Sequence, residues 1–254
     1  MTSKAAQSGL GKVATAKDVI RAIKAKADPV KALSAAGYFK TGKGQYGEGD
    51  IFLGLTTPTH QKIAKEFTDL SHPEIAKLLE SKIHEYRSVA LTILVDQFTK
   101  ASKAKNEKER TRIVRFYLAH RKGINNWDLV DGSARYIVGA YLFNHPKERT
   151  ILYKLAKSKN LWDKRIAIIS THYFILQNEH ADALAIMEIL LKDKHDLIHK
   201  AVGWMLREVG KRDLKVEEKF LDKYAATMPR TSLRYAIERF SPARRAFYMK
   251  MKGK

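Results

Sequence analysis

Apolar residues recur at helical spacing over most of this chain. Across residues 18–36 the helical period runs through Val19, Ile20, Ile23, Val30 and Leu33. Pro29 predicts the start of a second helix there, because proline is favoured in a first helical turn. Residues 37–54 form a glycine-rich connection, and from Pro58 the spacing is helical almost to the end. Alternating apolar and polar runs are few, so the pattern predicts an all-α fold without a sheet.

Several helical segments resemble one another at a nearly constant interval. Each places a basic residue before small and apolar residues, at Arg87, Arg165, Lys200 and Arg234. Arg165 and Lys200 are 35 positions apart, Lys200 and Arg234 are 34 apart, and 34 positions before Arg165 lies Asp131. A period of this length is typical of stacked helix pairs. The sequence therefore predicts a HEAT-like helical-repeat solenoid, with the second helix of each pair lining a concave surface.

The basic residues at the repeat positions are expected to share that concave surface as a DNA-binding groove. Duplex DNA carries about one phosphate charge per 1.7 Å of its axis, and a curved row of cations would neutralise several of them. The alternative is that these residues are ordinary solvated charges. The composition favours the groove, because 48 Lys and Arg against 27 Asp and Glu give a net charge of +21 over 254 residues. Such a balance predicts a polyanionic partner, most commonly nucleic acid.

The N-terminal segment and the composition limit which other classes of protein are possible. Residues 1–17 carry Lys4, Lys12 and Lys17 but no acid and no apolar centre of a secretory signal. They are interpreted as a disordered basic tail before a single, monomeric helical domain over residues 18–254, with an organellar transit peptide as the alternative. The absence of cysteine fits a reducing, cytoplasmic location. No apolar run approaches the roughly 20 residues that span a bilayer, so no membrane partner is expected.

Three motifs imitate ligand sites. Residues 37–44 nearly match a P-loop, but Gly44 replaces the required Ser or Thr and no strand precedes them. Residues 42–47 match GxGxxG without a strand–turn–helix setting. His195 and His199 have metalloprotease spacing, yet Asp196 replaces the glutamate and no third ligand is evident. The sequence therefore predicts neither a metal nor a cofactor.

Asp131 is the residue whose chemistry stands out. It places a carboxylate where the other repeats carry Arg or Lys. This carboxylate would repel a nearby phosphate. Neighbouring cations would keep it ionised, and an ionised carboxylate can stabilise an oxocarbenium-like sugar and orient a water. Trp127 lies one helical turn before it, and Trp204 follows Lys200 similarly, so two indoles would flank the carboxylate. The alternative, which spacing alone favours, is that both tryptophans are core residues and Asp131 pairs with a groove arginine.

Four strings within residues 38–241 carry a family resemblance: Gly-Glu-Gly-Asp-Ile-Phe-Leu-Gly (47–54), Trp-Asp-Leu-Val-Asp (127–131), Leu-Trp-Asp-Lys-Arg-Ile-Ala (161–167) and Ala-Val-Gly-Trp-Met-Leu-Arg-Glu (201–208). The chain resembles the AlkD-type alkylpurine DNA glycosylases of the helical-repeat DNA alkylation repair family. The resemblance implies that Asp131 is the catalytic carboxylate and that Arg165 holds the lesion-strand backbone. The expected catalytic set is Asp131, Trp127 and Trp204, and the expected DNA-binding set is Arg165, Lys200, Arg87, Arg234 and Lys164.

The resemblance also implies the substrate, which is duplex DNA containing cationic N3- or N7-alkylated purines. Such bases are already activated as leaving groups, so no strong general acid is required. No lysine nucleophile stands out, and a monofunctional glycosylase is expected. The family implies that the tryptophans contact the deoxyribose and backbone while the base stays in the duplex. Two alternatives remain open: a non-catalytic module that binds duplex or unusual DNA structures, and a protein-interaction scaffold.

Overall fold

The computed structural model describes residues 13–251, and over this range it contains helices but no strand. One isolated bridge joins Ile51 to Ile83. The predicted all-α fold is therefore confirmed for the described residues. Residues 1–12, which make up most of the predicted basic tail, lie outside them. In the described part, no helix is long and apolar enough to cross a membrane.

The helices follow one another with short connections, apart from the glycine-rich segment between the second and third. A π-helical segment, Arg135–Gly139, lies between α7 and α8. The α-helices are α1 Ala16–Lys24, α2 Pro29–Tyr38, α3 Thr57–Glu66, α4 His72–Leu79, α5 His84–Lys103, α6 Glu107–Ala119, α7 Trp127–Asp131, α8 Ala140–Phe143, α9 Thr150–Ala156, α10 Leu161–Leu176, α11 Ala181–Leu190, α12 Asp196–Arg212, α13 Leu214–Tyr224, α14 Arg230–Ala236 and α15 Pro242–Lys250.

The first helix begins slightly earlier than the apolar pattern predicts. The Asp18 carboxylate accepts hydrogen bonds from the Thr15 backbone N–H at 3.0 Å and from the Thr15 hydroxyl at 2.7 Å. Thr15 thereby becomes the N-cap, and such reciprocal capping fixes a helix start. Ala16 and Lys17 are consequently helical, which corrects the expectation that they belong to a disordered tail.

Helices separated by about one repeat interval pack directly on one another. The π segment packs between α5 and α10, α10 packs on α12, and α12 packs on α14. Two glycines allow close approach between these layers. A Cβ on Gly139 would lie 2.3 Å from the Ser170 carbonyl oxygen, and one on Gly203 would lie 2.3 Å from that of Ser232. The buried apolar side chains form one continuous cluster from α1 to α15. This arrangement is consistent with a helical-repeat fold.

The glycine-rich connection is anchored by two buried carboxylates. Asp50 accepts hydrogen bonds from Arg87 Nη2 at 2.7 Å and Asn126 Nδ2 at 3.1 Å. Glu85, at the start of α5, accepts the backbone N–H groups of Leu53 at 2.9 Å and Gly54 at 2.7 Å. Charge-assisted bonds of this kind are stronger than neutral ones. The connection is therefore held against α5 and α7, next to Trp127.

A third buried carboxyl, Glu217 on α13, lacks such partners. It is 2% exposed, and its Oε1 has no hydrogen-bond partner among the described residues. The missing side chain of Gly210 makes room for it, since a Cβ there would lie 1.6 Å from Glu217 Oε2. Burial raises the pKa of Glu217 to about 8. The folded protein thus favours the protonated form of this side chain.

We expect Glu217→Gln to flatten the pH dependence of the unfolding free energy. In the unfolded chain the pKa of a glutamate is about 4.3, whereas burial raises the pKa of Glu217 in the fold to about 8. Between these values the folded state binds the extra proton, so wild-type stability falls as the pH rises through this window. Glutamine does not titrate. Urea unfolding at several pH values measures the effect, and a variant as steeply pH-dependent as the wild type would contradict it.

Candidate active site

The short helix α7 places Trp127 and Asp131 at its two ends. Its N-cap, the fully buried Asn126, accepts the Trp127 backbone N–H at 2.8 Å and donates to the Asp50 carboxylate at 3.1 Å. Leu129 and Val130 between them are buried in the core. The position of α7 is therefore fixed by its buried N-cap and its buried middle residues. The side chains of Trp127 and Asp131, at its two ends, remain partly exposed.

Asp131 forms a bidentate salt bridge with Arg165 on α10. Arg165 Nε donates to Oδ1 at 2.8 Å and Nη2 donates to Oδ2 at 2.7 Å, while Nη1 donates to the Leu197 carbonyl at 2.6 Å. The side chains are 17% exposed for Asp131 and 5% for Arg165. Burial raises the pKa of Asp131 above its ordinary value, and the Arg165 guanidinium opposes that shift. The geometry is that of a carboxylate oriented by a rigid fork.

A cleft of about 820 Å³ lies above this pair. The structure brings five of the sequence-predicted residues to its walls: Trp127, Asp131, Arg165, Lys200 and Trp204. Further cations line it as well, namely Lys40, Lys194 and Arg207. We call it the basic cleft. It combines the oriented Asp131 carboxylate and a second carboxylate, that of Asp196, with two indoles and a surplus of positive charge.

Both tryptophans of the basic cleft are partly exposed, unlike the buried Trp162. The Trp127 ring stacks on Phe39, with centroids 5.3 Å apart and 19° between planes. Trp204 donates from Nε1 to Glu208 Oε1 at 3.0 Å. These contacts fix each indole by one edge or face. The alternative that spacing alone favours agrees with the structure in one part, because Asp131 pairs with an arginine. It differs in the other part, because both tryptophans line a cleft instead of lying wholly in the core.

The other predicted DNA-binding residues lie elsewhere. Arg87 is only 2% exposed, and its guanidinium binds Asp50 and the Ser81 carbonyl, both at 2.7 Å. The expectation that Arg87 lies along an exposed groove is wrong, because this arginine anchors the glycine-rich connection. Lys164 pairs with Asp193 outside the basic cleft. Arg234 is exposed on α14 but does not line the cleft.

Sequence reasoning missed the contribution of the glycine-rich connection. Tyr38, the last residue of α2, lines the basic cleft together with Lys40 and Tyr46 from this segment. The alternation of aromatic and basic residues between positions 38 and 46 was the available signal, since such interleaving suits nucleic-acid binding. Lys194 has no comparable signal in the sequence, whereas Arg207 lies within the family string of residues 201–208.

The two histidines with metalloprotease spacing form hydrogen bonds with backbone groups. His195 Nδ1 accepts the Leu197 N–H at 3.1 Å, and His199 Nε2 donates to the Asp193 carbonyl at 2.6 Å. His195 serves as the N-cap of α12. Over residues 13–251 no group of three or more His, Asp or Glu side chains is placed to hold a metal ion.

Fold and cleft together define the class: an all-helical protein with a cation-lined cleft whose walls carry a carboxylate paired with arginine and two tryptophans. The family of DNA alkylation repair enzymes matches residues 19–240. Because this match covers most of the chain, the protein belongs to that family. The family gives it a role in the repair of alkylated DNA and implies that it binds DNA.

A solved structure supports the fold. It is described as a predicted DNA alkylation repair enzyme from Enterococcus faecalis, and it superposes with a TM-score of 0.67 at 18% sequence identity. The alignment covers 85% of this chain and 97% of that one. At this identity the likeness shows the shared helical fold. A comparison with curated proteins found no match.

Proposed function

We propose that this protein is a DNA glycosylase that hydrolyses the N-glycosidic bond of cationic N3- or N7-alkylated purines in duplex DNA. The observation that carries the proposal is the Asp131 carboxylate, oriented by Arg165 in a cleft flanked by Trp127 and Trp204. Membership of the DNA alkylation repair family supports the same chemistry.

In the proposed reaction the bond between C1′ and the purine nitrogen breaks, and its electron pair neutralises the charged base. Positive charge develops on the deoxyribose, where the Asp131 carboxylate stabilises it. Water then attacks C1′ and releases one proton. A carboxylate offers about four acceptor positions, and Arg165 occupies two of them. The others remain for the water or the sugar. The base stays in the duplex while the tryptophans pack on the deoxyribose.

The same cleft supplies contacts for the DNA backbone. An arginine has five N–H donors, of which Arg165 uses three for Asp131 and Leu197. Its remaining donors suit a phosphate of the lesion strand. Lys200 on α12 is 40% exposed and pairs with Asp196 at 2.8 Å. This lysine is more accessible than Arg165 as a phosphate contact of a proposed concave, basic DNA-binding groove. We propose that the protein acts as a monomer without a cofactor.

Release of free base from duplex DNA that contains N7-methylguanine tests the proposal. Glycosylase activity predicts free N7-methylguanine and an abasic strand that breaks only on treatment with alkali. DNA binding without base release would favour a non-catalytic DNA-binding module. A protein that shows neither property would favour an interaction scaffold.

We expect Lys200→Gln to weaken duplex binding and to reduce its salt dependence. Each phosphate contact contributes about −0.9 to the slope of log K against log salt concentration, so the variant should lose about one unit. Affinity measured at four or more salt concentrations gives the slope. Lys219→Gln is the matched control, because Lys219 is exposed on α13 outside the basic cleft. Equal slopes for Lys200→Gln and the wild type would remove Lys200 from the phosphate contacts.

A further inference from the structure

Trp204 is held in the basic cleft by a different kind of contact from Trp127. The Trp127 ring stacks on Phe39, which restrains its face. Among residues 13–251 no aromatic ring stacks on Trp204, and its ring contact with His172 is edge-on, with centroids 5.6 Å apart and 65° between planes. The second side-chain torsion of an aromatic residue has a broad, roughly two-fold preference. Contacts at the edge of the indole therefore decide which edge Trp204 presents to the cleft.

Glu208 supplies that contact from one helical turn further along α12. Trp204 Nε1 donates to Glu208 Oε1 at 3.0 Å, and residues four apart on a helix lie on the same face. An indole has one N–H donor and no acceptor, so this bond uses all of its hydrogen-bonding capacity. Glu208 is buried and does not line the basic cleft. The bond therefore fixes the ring without placing the carboxylate in the cleft.

Glu208 is ionised and is itself held by basic side chains. Burial would raise the pKa of Glu208, but the hydrogen bond from Lys211 and the charge of that lysine outweigh burial, and the pKa is lowered. Lys211 Nζ donates to Oε1, and Arg207 Nε lies 4.0 Å from the same oxygen. Hydrogen bonds to an ionised acceptor are shorter and stronger than those between neutral groups. The bond that Trp204 donates belongs to this stronger kind.

The other carboxylate oxygen of Glu208 faces His172 on α10. Arg135 Nη1 donates to His172 Nδ1 at 3.1 Å, so the proton of the neutral ring is on Nε2. That nitrogen lies 3.9 Å from Glu208 Oε2. Burial and the nearby charge of Arg135 lower the pKa of His172 to about 4, so the ring is neutral at physiological pH. The Glu208 carboxylate thus lies between cations and a neutral imidazole, which limits its movement away from Trp204.

We propose that Glu208 is the positioning residue for Trp204, and that its carboxylate holds the indole in the orientation in which the ring packs on the deoxyribose of the lesion. The inference rests on the proposed function, which assigns that packing to the tryptophans. Glu208 takes no part in the chemical step, because it does not line the basic cleft. Groups held in the productive geometry before the substrate binds contribute to the rate of the reaction. Loss of Glu208 should therefore lower the rate of base release more than it lowers duplex affinity.

The indole N–H resonances of the ¹⁵N-labelled full chain test the contact without any assay of activity. The chain has three tryptophans, so three such resonances are expected, and Trp204→Phe identifies the one that belongs to Trp204. In Glu208→Ala we expect hydrogen exchange at the Trp204 indole to become about tenfold faster, and its resonance to move. The resonances of Trp127 and Trp162 should stay in place. Glu208→Gln keeps an acceptor at this position and should retain most of the protection.

Single-turnover release of N7-methylguanine from duplex DNA tests the consequence for the reaction. Glu208→Ala should slow release about tenfold while duplex affinity changes by less than about threefold, and Glu208→Gln should restore most of the rate. Adding Glu208→Ala to Trp204→Phe should cause no further loss, because Glu208 acts through the indole. A purely structural role for Glu208 would instead lower the rate in both backgrounds by the same factor.

Glu238→Ala is the matched control. Glu238 also pairs with Arg207, but no hydrogen bond joins it to Trp204 in the described part of the chain. The variant removes the same charge as Glu208→Ala from beside Arg207. It should leave both the excision rate and the Trp204 resonance as they are in the wild type.

Two results would overturn the proposal: a Trp204 indole in Glu208→Ala with wild-type shift and exchange, or an equal loss of rate when Glu208→Ala is added to Trp204→Phe. Circular dichroism and melting temperature establish that each variant is folded. Glu208→Met, which fills a similar volume without an oxygen acceptor, replaces Glu208→Ala if that variant is unfolded, and the same outcomes apply. If the wild type releases no base, the glycosylase proposal alone fails, and the exchange rate of the Trp204 indole still decides whether Glu208 holds the ring.

Discussion

The Asp131→Asn variant should release N7-methylguanine from duplex DNA about 10²-fold more slowly than the wild type, the scale seen when one electrostatic stabiliser is lost. Asparagine keeps the size of the side chain but removes the negative charge that opposes the developing sugar cation. Duplex affinity should be retained or improved, because one negative charge near the phosphates is gone. Single-turnover rates with enzyme in excess separate the chemical step from binding.

The control for Asp131→Asn must account for its ion pair. Losing the pair with Arg165 lowers stability, so the excision rate is normalised to the folded fraction. Asp163→Asn breaks a more exposed ion pair, a single contact with Arg121 at 3.0 Å, outside the basic cleft. It should lose stability without losing the normalised rate. Near-normal excision by folded Asp131→Asn would remove Asp131 as the catalytic carboxylate.

The Arg165→Met variant should lose about 3 kcal/mol of unfolding free energy at neutral pH, because removing one partner of a buried pair leaves an uncompensated charge. The remaining Asp131 carboxylate is then partly buried without its cation, and the Leu197 carbonyl loses its donor. Asp131 should respond with a pKa raised further, so the penalty shrinks as the pH falls and the carboxyl takes up a proton. Urea unfolding at neutral and acidic pH measures both effects.

The double variant Asp131→Asn, Arg165→Met supplies the matched comparison. With no charge left at either position, most of the stability lost in Arg165→Met should return. The double-mutant cycle should then give a coupling energy between Asp131 and Arg165 well above its experimental error. Additive losses in the double variant would mean that the two side chains do not stabilise each other. Neither Arg165→Met nor the double variant should release base at the wild-type rate.

The repeat interval accounts for how much of the site could be predicted. Counting back 34 positions from Arg165 reaches Asp131, and the two side chains are in fact bonded across the layer between α7 and α10. The interval aligns equivalent helices, so residues one repeat apart meet. The same reasoning failed for Arg87, whose local pattern matches that of Arg165. Its burial depends on Asp50, in an irregular connection that the periodicity does not describe.

A second cavity, on the far side of Trp127 and Asp131 from the basic cleft, could not be predicted for a related reason. Its carboxylates come from α5 and α7, and its aromatic wall comes from residues around the glycine-rich connection. A connection has no period, so the side chains that it brings together depend on where Asp50 and Glu85 anchor it. Helix propensity and apolar spacing report burial along each helix, but they do not report which connection lies across its exposed end.

The most direct test of the account is a single-turnover time course of wild-type protein with duplex DNA that contains one N7-methylguanine. Free base and abasic sites are quantified from the same samples. Monofunctional glycosylase action predicts that free N7-methylguanine and alkali-labile sites appear together in equal amounts, and that strands remain unbroken before alkali. Tight binding to this duplex with base release no faster than in protein-free buffer would contradict it.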